Sequence, residues 1–225
     1  MRWFLIESPK LGMGSLGSLA AELSSQNLDA RSLQIEWSEL TTPDEGVSQL
    51  RDQIDDLTIG DFGLVGHSAG ALLASATVEH LAKRPRRLVL IDPYLLPGTR
   101  VTGRLAGGFE PSHLEALAGL DGRLPKWSQW GSASSWKAVL DNTDRRDEIE
   151  AHLPSLALSL VLAPISLVVT KGLNPVVIAT SHARSYLLGD ASKLGWEVHD
   201  WTTLGHLAPV TEPRTFARLL GPVLT

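Results

Sequence analysis

The sequence contains no cysteine among its 225 residues. This absence excludes a disulfide framework, a zinc site with thiolate ligands and a cysteine nucleophile. It does not indicate a compartment, because a protein without thiols is compatible with any redox environment.

Basic residues are not in excess either. The chain has 20 Lys and Arg against 25 Asp and Glu, which gives a formal net charge of −5. Proteins that bind nucleic acids or anionic membranes use clusters of positive charge, so neither partner is expected. The expected partner is a small-molecule substrate, and the composition is compatible with a monomer or an oligomer.

Long apolar stretches are also missing. The longest, residues 156–169, is interrupted by Ser159, Pro164 and Ser166. It is shorter than the ~20 apolar residues that a membrane-spanning helix needs. The apolar start of the chain reaches Glu7 after six residues, which is too short for a secretory signal. We therefore expect a cytoplasmic protein.

Strand patterns alternate with helical patterns in the first 97 residues and again after residue 164. The patterns predict strands at residues 2–6, 32–37, 62–66, 87–91, 165–169 and 197–201. They predict helices at residues 16–25, 44–57, 69–82, 181–194 and 213–220. The consecutive aliphatic residues of 87–91 are typical of a parallel strand that is buried on both faces. The fold class is therefore α/β, with a mostly parallel central sheet flanked by helices.

Residues 98–164 interrupt this alternation. They contain glycine-rich patches and no clear strand, and short helices are predicted at residues 112–118, 135–140 and 146–152. Because long structureless connections are rare in compact domains, we predict an inserted helical cap over 98–164. The core domain is then formed by 1–97 and 165–225. Three tryptophans of the cap either line an apolar substrate pocket or form the cap's own core: Trp127, Trp130 and Trp136.

The most informative motif has the form G-x-S-x-G and reads Gly66-His67-Ser68-Ala69-Gly70. It lies between a predicted strand and a predicted helix, which is the setting of a nucleophile elbow. Glycines on both sides of Ser68 allow the close backbone approach that such a turn needs. The helix behind the turn presents N–H groups and a positive dipole end to a developing oxyanion, with the N–H of Ala69 as the first donor. The alternative is a glycine-rich turn in which Ser68 only caps the helix.

Together with Gly205-His206 and the strand–helix alternation, this motif resembles the α/β-hydrolase superfamily over essentially the whole chain. The resemblance implies that Ser68 is a nucleophile, that a late histidine is its base and that the cap supplies an acyl or alcohol pocket. His206 is the expected base, because its loop follows the last predicted strand and leaves the same sheet edge as Ser68. His67 is expected to point away from the nucleophile.

The acid of the triad is the least determined member. The resemblance places it after the strand that follows the cap, but this sequence has Asn174 there, and an amide cannot stabilise an imidazolium by charge. Asp92, which follows the strand 87–91, is the expected substitute. The chain order Ser68, Asp92, His206 matches the order of nucleophile, acid and base in the α/β-hydrolase fold. The alternative for Asp92 is a turn-initiating role before Pro93. Two further carboxylates, Asp190 and Asp200, are less favoured.

A second oxyanion donor is expected from the loop after the first strand. The resemblance places this donor near Pro9, which has no N–H. The donor is therefore expected to shift to Lys10, with Leu11 or the Ser8 hydroxyl as alternatives.

These residues predict a serine hydrolase that cleaves an ester, thioester or lactone of a hydrophobic small molecule. Two alternatives keep the fold. One is an elimination or cyclisation enzyme of natural-product chemistry, because the loop at Glu7-Ser8-Pro9 and Asn174 both depart from the hydrolytic pattern. The other is a ligand-binding module, which the presence of Ser68 and His206 argues against. No phosphate loop, dinucleotide fingerprint or metal-ligand spacing is present in the sequence, so no cofactor and no metal is expected.

Overall fold

The computed structural model describes residues 1–93, 101–104, 110–130, 143–167, 172–180, 191–201 and 203–225. In chain order, its strands are β1 Arg2–Ile6, β2 Asp29–Ser32, β3 Phe62–His67, β4 Arg87–Ile91, β5 Val101–Arg104, β6 Pro164–Leu167, β7 Val176–Thr180 and β8 Glu197–Trp201. Its helices are α1 Gly17–Ser25, α2 Pro43–Leu57, α3 Ala69–Val78, α4 Pro111–Leu117, α5 Trp127–Trp130, α6 Arg146–His152, α7 Leu158–Leu162, α8 Ala208–Thr211 and α9 Pro213–Leu224.

Six of these strands form the central sheet, in the order β2-β1-β3-β4-β7-β8. Every neighbouring pair in it is parallel. The aliphatic side chains of β3 and β4 are fully buried, as expected for strands covered by helices on both faces. The predicted α/β class with a mostly parallel sheet is therefore confirmed.

The helices cover the sheet as two packed pairs. Helix α1 packs against α9, and α2 packs against α3. The chain moves from β1 to β2 in one direction along the sheet, and from β2 to β3 and β3 to β4 in the other. Since such crossovers are right-handed, α1 lies on one face and both α2 and α3 lie on the opposite face.

Two predicted strands differ from the structure. The strand predicted at 32–37 ends at Ser32, and Trp37–Glu39 is a short 3₁₀ turn. Leu33, Ile35 and Trp37 are buried, so their alternation reflects a loop that packs on the core rather than a sheet strand. The strand predicted at 165–169 exists as β6, but it pairs antiparallel with β5 instead of joining the central sheet.

The position beside β4 is occupied by β7, which the sequence analysis did not predict. Its residues Val176–Thr180 are all buried, and their aliphatic run was the available signal. The expectation of no strand within 98–164 was wrong, because Val101–Arg104 forms β5. The helix predicted at 135–140 and most of the one at 181–194 lie outside the described residues.

The described residues of the predicted cap contact the core at several places, two of which border the carboxyl edge of the sheet. The guanidinium of Arg145 donates to the Ser18 hydroxyl at 2.6 Å and to the Val210 carbonyl. The backbone of Gly12 lies so close to His152 that a Cβ there would be 1.8 Å from the His152 carbonyl oxygen. His152 of the predicted cap therefore rests on the loop that follows β1. In the part of the chain that the structure describes, no helix has the length and apolar character needed to cross a bilayer.

The contact between Gly63 and Trp3 tests the packing of the sheet. These residues are paired on β3 and β1, and a Cβ on Gly63 would lie 2.3 Å from the Trp3 indole. We expect Gly63→Ala to lower the free energy of unfolding by about 1–3 kcal/mol, because the buried indole has no room to move. The measurement is urea denaturation. Gly17→Ala is the control, since a Cβ there meets nothing within 4 Å; equal stability of both variants would contradict the prediction.

Candidate active site

Ser68 occupies a strained turn between β3 and α3. Its backbone has φ 55° and ψ −124°, and its hydroxyl makes no capping bond to the helix. A Cβ on Gly66 would lie 2.5 Å from the Ala71 Cα, and one on Gly70 would lie 2.4 Å from the Glu7 carbonyl oxygen. Only glycine fits at these two positions, so the flanking glycines permit the turn. Strain of this kind is typical of functional sites.

The start of helix α3, beside Ser68, is suited to bind an anion. Ala69 is the first residue of α3, and the first N–H groups of a helix have no partner within it. The positive end of the helix dipole lies at the same place. The N–H of Ala69 is therefore suited to stabilise negative charge that develops on a group bonded to Ser68.

Asp92 and His206 are brought together from positions 114 residues apart in the chain. His206 Nδ1 and Asp92 Oδ2 are 2.8 Å apart, and both side chains are at least 95% buried. Because an ionised carboxylate only accepts, His206 donates from Nδ1, which leaves Nε2 as its acceptor atom. A general base needs an acceptor nitrogen of this kind to take the proton of the nucleophile.

Asp92 is held in place by Thr180 at the end of β7. The backbone N–H of Thr180 donates to Oδ1 at 2.8 Å, and its hydroxyl donates to Oδ2 at 2.6 Å. Burial by itself would raise the pKa of Asp92, but the hydrogen bond from His206, the His206 charge and the bonds from Thr180 outweigh it, so this pKa lies below its ordinary value. Asp92 is thus an anion in a buried setting. Its φ of 45° shows that the chain bends sharply where β4 ends.

The other carboxylate and amide candidates lie elsewhere. Asn174 lies two residues before β7 and is exposed. In a parallel sheet the start of a strand lies at the edge opposite to the carboxyl ends, so Asn174 is far from the Ser68 edge. Asp200 is an exposed residue within β8, and Asp190 lies outside the described residues. The expectation that Asn174 follows a central strand was wrong, because that expectation took 165–169 as the central strand.

The loop after β1 contains the predicted second oxyanion donors. Its turn is closed by the carbonyl of Ser8, which accepts from Leu11 N at 2.9 Å and from Gly12 N at 3.3 Å. Leu11 is therefore already engaged within the loop. The other two predicted donors, Lys10 and Ser8, are both buried.

Glu7 is a buried acid of this loop that the sequence analysis did not assign to the site. Its carboxylate accepts from Gly14 N at 3.1 Å and from the Ser15 hydroxyl at 3.3 Å, so it ties the start of the loop to its end. Burial raises the pKa of Glu7 to about 8, against the lowering effect of these bonds. Burial also lowers the pKa of Lys10 to about 7. Both groups thus change charge near neutral pH.

The tryptophans expected at a substrate pocket are placed only in part. Trp127 is buried within the apolar core cluster, which favours a packing role over substrate contact. The backbone of Trp130 ends α5, and Trp136 lies outside the described residues. Among the described residues, no three His, Asp or Glu side chains come together as metal ligands would.

The raised pKa of Glu7 makes stability depend on pH. A folded-state pKa of about 8 against 4.5 means that the folded protein retains a proton that the unfolded chain releases, so stability falls as pH rises through this window. Between pH 4.5 and about pH 8, the free energy of unfolding of the wild type should fall by about 3–5 kcal/mol more than that of Glu7→Gln. Glutamine retains an acceptor for Gly14. Urea denaturation at a series of pH values measures the difference.

The control for this measurement is Glu39→Gln at an exposed position. It should follow the wild-type pH dependence. A Glu7→Gln variant with the same pH dependence as the wild type would contradict the prediction.

Several solved structures resemble this one over nearly their whole length. An extracellular α/β-hydrolase from a Paenibacillus species matches with a TM-score of 0.71 and 16% identity, covering 98% of this chain and 97% of that one. A methylesterase from Arabidopsis matches with 0.68 and 13%, covering 99% and 98%. Tomato methylketone synthase I complexed with 2-tridecanone matches with 0.68 and 13%, covering 99% and 96%. At such identities the likeness shows the fold alone.

Sequence comparison supplies the family. No curated protein matches the sequence significantly. The model of the alpha/beta hydrolase family matches residues 10–219, which is most of the chain. With a parallel sheet of the same architecture and a strained serine at the end of β3, the chain belongs to the α/β-hydrolase family.

Proposed function

We propose that the protein is a serine hydrolase that cleaves an ester, thioester or lactone of a hydrophobic small molecule. The observation that carries this proposal is the buried hydrogen bond of 2.8 Å between His206 and Asp92. It lies at the same sheet edge as the strained turn of Ser68. Esterases among the structures with this fold are consistent with the proposal.

In the proposed first step, the Ser68 hydroxyl attacks the carbonyl carbon of the substrate. Nε2 of His206 takes the hydroxyl proton, and Asp92 stabilises the resulting imidazolium without itself being protonated. The carbonyl oxygen becomes an oxyanion that accepts from the N–H of Ala69. Such a donor typically contributes about 10²–10³ in rate. Collapse of the intermediate expels the alcohol or thiol, which receives the proton from His206, and leaves an acyl group on Ser68.

In the second step, water replaces the leaving group. His206 removes a proton from the water as it attacks the acyl carbon, and the N–H of Ala69 binds the second oxyanion. The intermediate then breaks its bond to the Ser68 oxygen, which takes the proton back from His206, and the acid is released. Burial of His206 and Asp92 keeps their hydrogen bond away from competing solvent, which strengthens the electrostatic contribution of the carboxylate.

A second candidate is a non-hydrolytic reaction, elimination or cyclisation, in the same pocket. The observation that favours it is the altered loop after β1, where Pro9 lacks an N–H and Leu11 donates to Ser8. A weaker oxyanion site would slow acyl transfer more than proton transfer. Turnover in water enriched in ¹⁸O separates the two candidates: hydrolysis places one labelled oxygen in the acid product, whereas elimination or cyclisation places none.

Removal of the Ser68 hydroxyl tests the nucleophile. We expect Ser68→Ala to lower the hydrolysis of short p-nitrophenyl esters by at least about 10³-fold, because the remaining groups supply only transition-state binding. Stopped-flow absorbance should also show a burst of p-nitrophenol in the wild type and none in the variant. The control is Ser75→Ala, a substitution at a buried position of helix α3. Hydrolysis by Ser68→Ala at the wild-type rate would contradict the proposal.

Substitution of the acid tests its assignment. We expect Asp92→Asn to lower kcat by about 10³–10⁴-fold, since an amide neither holds the required tautomer of His206 nor stabilises its cation. Asn174→Ala is the matched comparison and should leave kcat within about twofold, because its position is exposed at the other edge of the sheet. Steady-state kinetics with a p-nitrophenyl ester measures both. Equal effects of the two substitutions would show that Asp92 is not the acid.

A further inference from the structure

His67 is a buried polar residue that the proposed chemistry does not use. It ends β3, is paired with Ile91 of β4 and directly precedes Ser68. Its exposed fraction is 0%. The sequence predicts that its side chain points away from the nucleophile. A fully buried imidazole needs a hydrogen-bond partner, so its surroundings decide what it does.

The partner of His67 is the main chain of His206. Nε2 of His67 lies 2.8 Å from the His206 carbonyl oxygen. The two imidazole rings are also in contact, with centroids 4.9 Å apart and planes tilted by 38°. The residue before the nucleophile therefore touches both the backbone and the ring of the proposed base, across 139 positions of sequence.

The direction of this bond fixes the protonation of His67. A carbonyl oxygen only accepts, so Nε2 of His67 carries the proton. Burial, followed by the nearby charge of His206, lowers the pKa of His67 to about 3. His67 is thus neutral near physiological pH, and it adds no positive charge beside the imidazolium that would form on His206. Its Nδ1 atom is buried and accepts no hydrogen bond from the residues that the structure describes.

His206 is then held at two points by different elements. Asp92, at the end of β4, bonds to the Nδ1 atom of its ring. His67, at the end of β3, bonds to its carbonyl oxygen. The first bond sets the tautomer and rotation of the ring, whereas the second sets the distance between the loop of His206 and the turn of Ser68. A displacement of about 1 Å between reacting groups lowers rates by about 10²-fold.

We propose that His67 is a positioning residue, which donates a hydrogen bond to the backbone of His206 and so fixes the loop of the base against the turn that carries Ser68. The inference rests on the proposed function for its effect on rate, but the hydrogen bond itself can be tested without any substrate. His67 is not proposed to contact the substrate, and its effect is exerted only through His206.

The kinetic test compares two substitutions at His67. Glutamine places an N–H donor near the position of Nε2, whereas leucine has a similar bulk and no donor. Measured by the rate of labelling with a fluorophosphonate probe, His67→Leu should fall by about 10- to 100-fold, and His67→Gln should stay within about threefold of the wild type. For turnover of a p-nitrophenyl ester, the loss should appear in kcat with little change in KM.

Two kinetic results would overturn the inference. One is a His67→Leu variant that labels as fast as the wild type. The other is a His67→Gln variant that is as slow as His67→Leu while its thermal unfolding is unchanged, because the donor would then not be what matters. A wild type that is not labelled at all would contradict the proposed function instead, and the spectroscopic test below would still decide on the hydrogen bond.

The spectroscopic test uses the wild-type protein labelled with ¹⁵N-histidine. The resonances of His67 are assigned by their loss in His67→Gln. We expect the shift pattern of an Nε2–H tautomer that does not titrate from roughly pH 5 to pH 9, unlike an ordinary histidine. An Nδ1–H tautomer, or titration within this range, would overturn the inference. This arm also decides the matter if His67→Leu does not fold.

Discussion

The hydrogen bond between His206 and Asp92 depends on three neighbouring strands of the central sheet, β4, β7 and β8. Asp92 follows β4 and is held by Thr180 of β7, whereas His206 is delivered by the loop after β8. The parallel arrangement brings these strand ends to one edge, which is where ligands bind in open α/β sheets. Without that register, a buried carboxylate would have no cation or donor to offset its desolvation. The chemistry and the fold are therefore linked through the same few groups.

At the same edge, close backbone contacts join the turn of Ser68 to the loop that follows β1. Gly70 lies against the main chain of Glu7 at the end of β1, and the loop that begins there rests on the cap through Gly12 and His152. At each contact the two segments are so close that a Cβ on the glycine would overlap the neighbouring main chain. This tight packing explains how a strained backbone at Ser68 persists, since the surrounding structure over-determines it. It also connects the cap to the predicted oxyanion loop.

The sequence was sufficient for the class of fold and for the positions of Ser68, Asp92 and His206 after strands, because both depend on local patterns. The motif around Ser68 and the position of Asp92 each follow a strand with a clear aliphatic run, and the loop of His206 follows the last predicted strand. The sequence was insufficient where tertiary packing decides. The alternation of 32–37 reflects a loop on the core, and β7 was missed since β6 was taken for the central strand. The roles of Glu7 and His67 depend on partners that are distant in sequence or on burial, which no local pattern reveals.

The central claim is that an acyl group is transferred to Ser68 with His206 as the base. Its most direct test is to react the protein with p-nitrophenyl acetate, quench it in acid, digest it and locate the acetyl group by tandem mass spectrometry. We expect acetylation on Ser68 in the wild type, and a loss of this acetylation in His206→Ala that parallels the loss of p-nitrophenol release. Acetylation of another residue at a higher rate, or turnover that proceeds with Ser68 never acetylated, would contradict it.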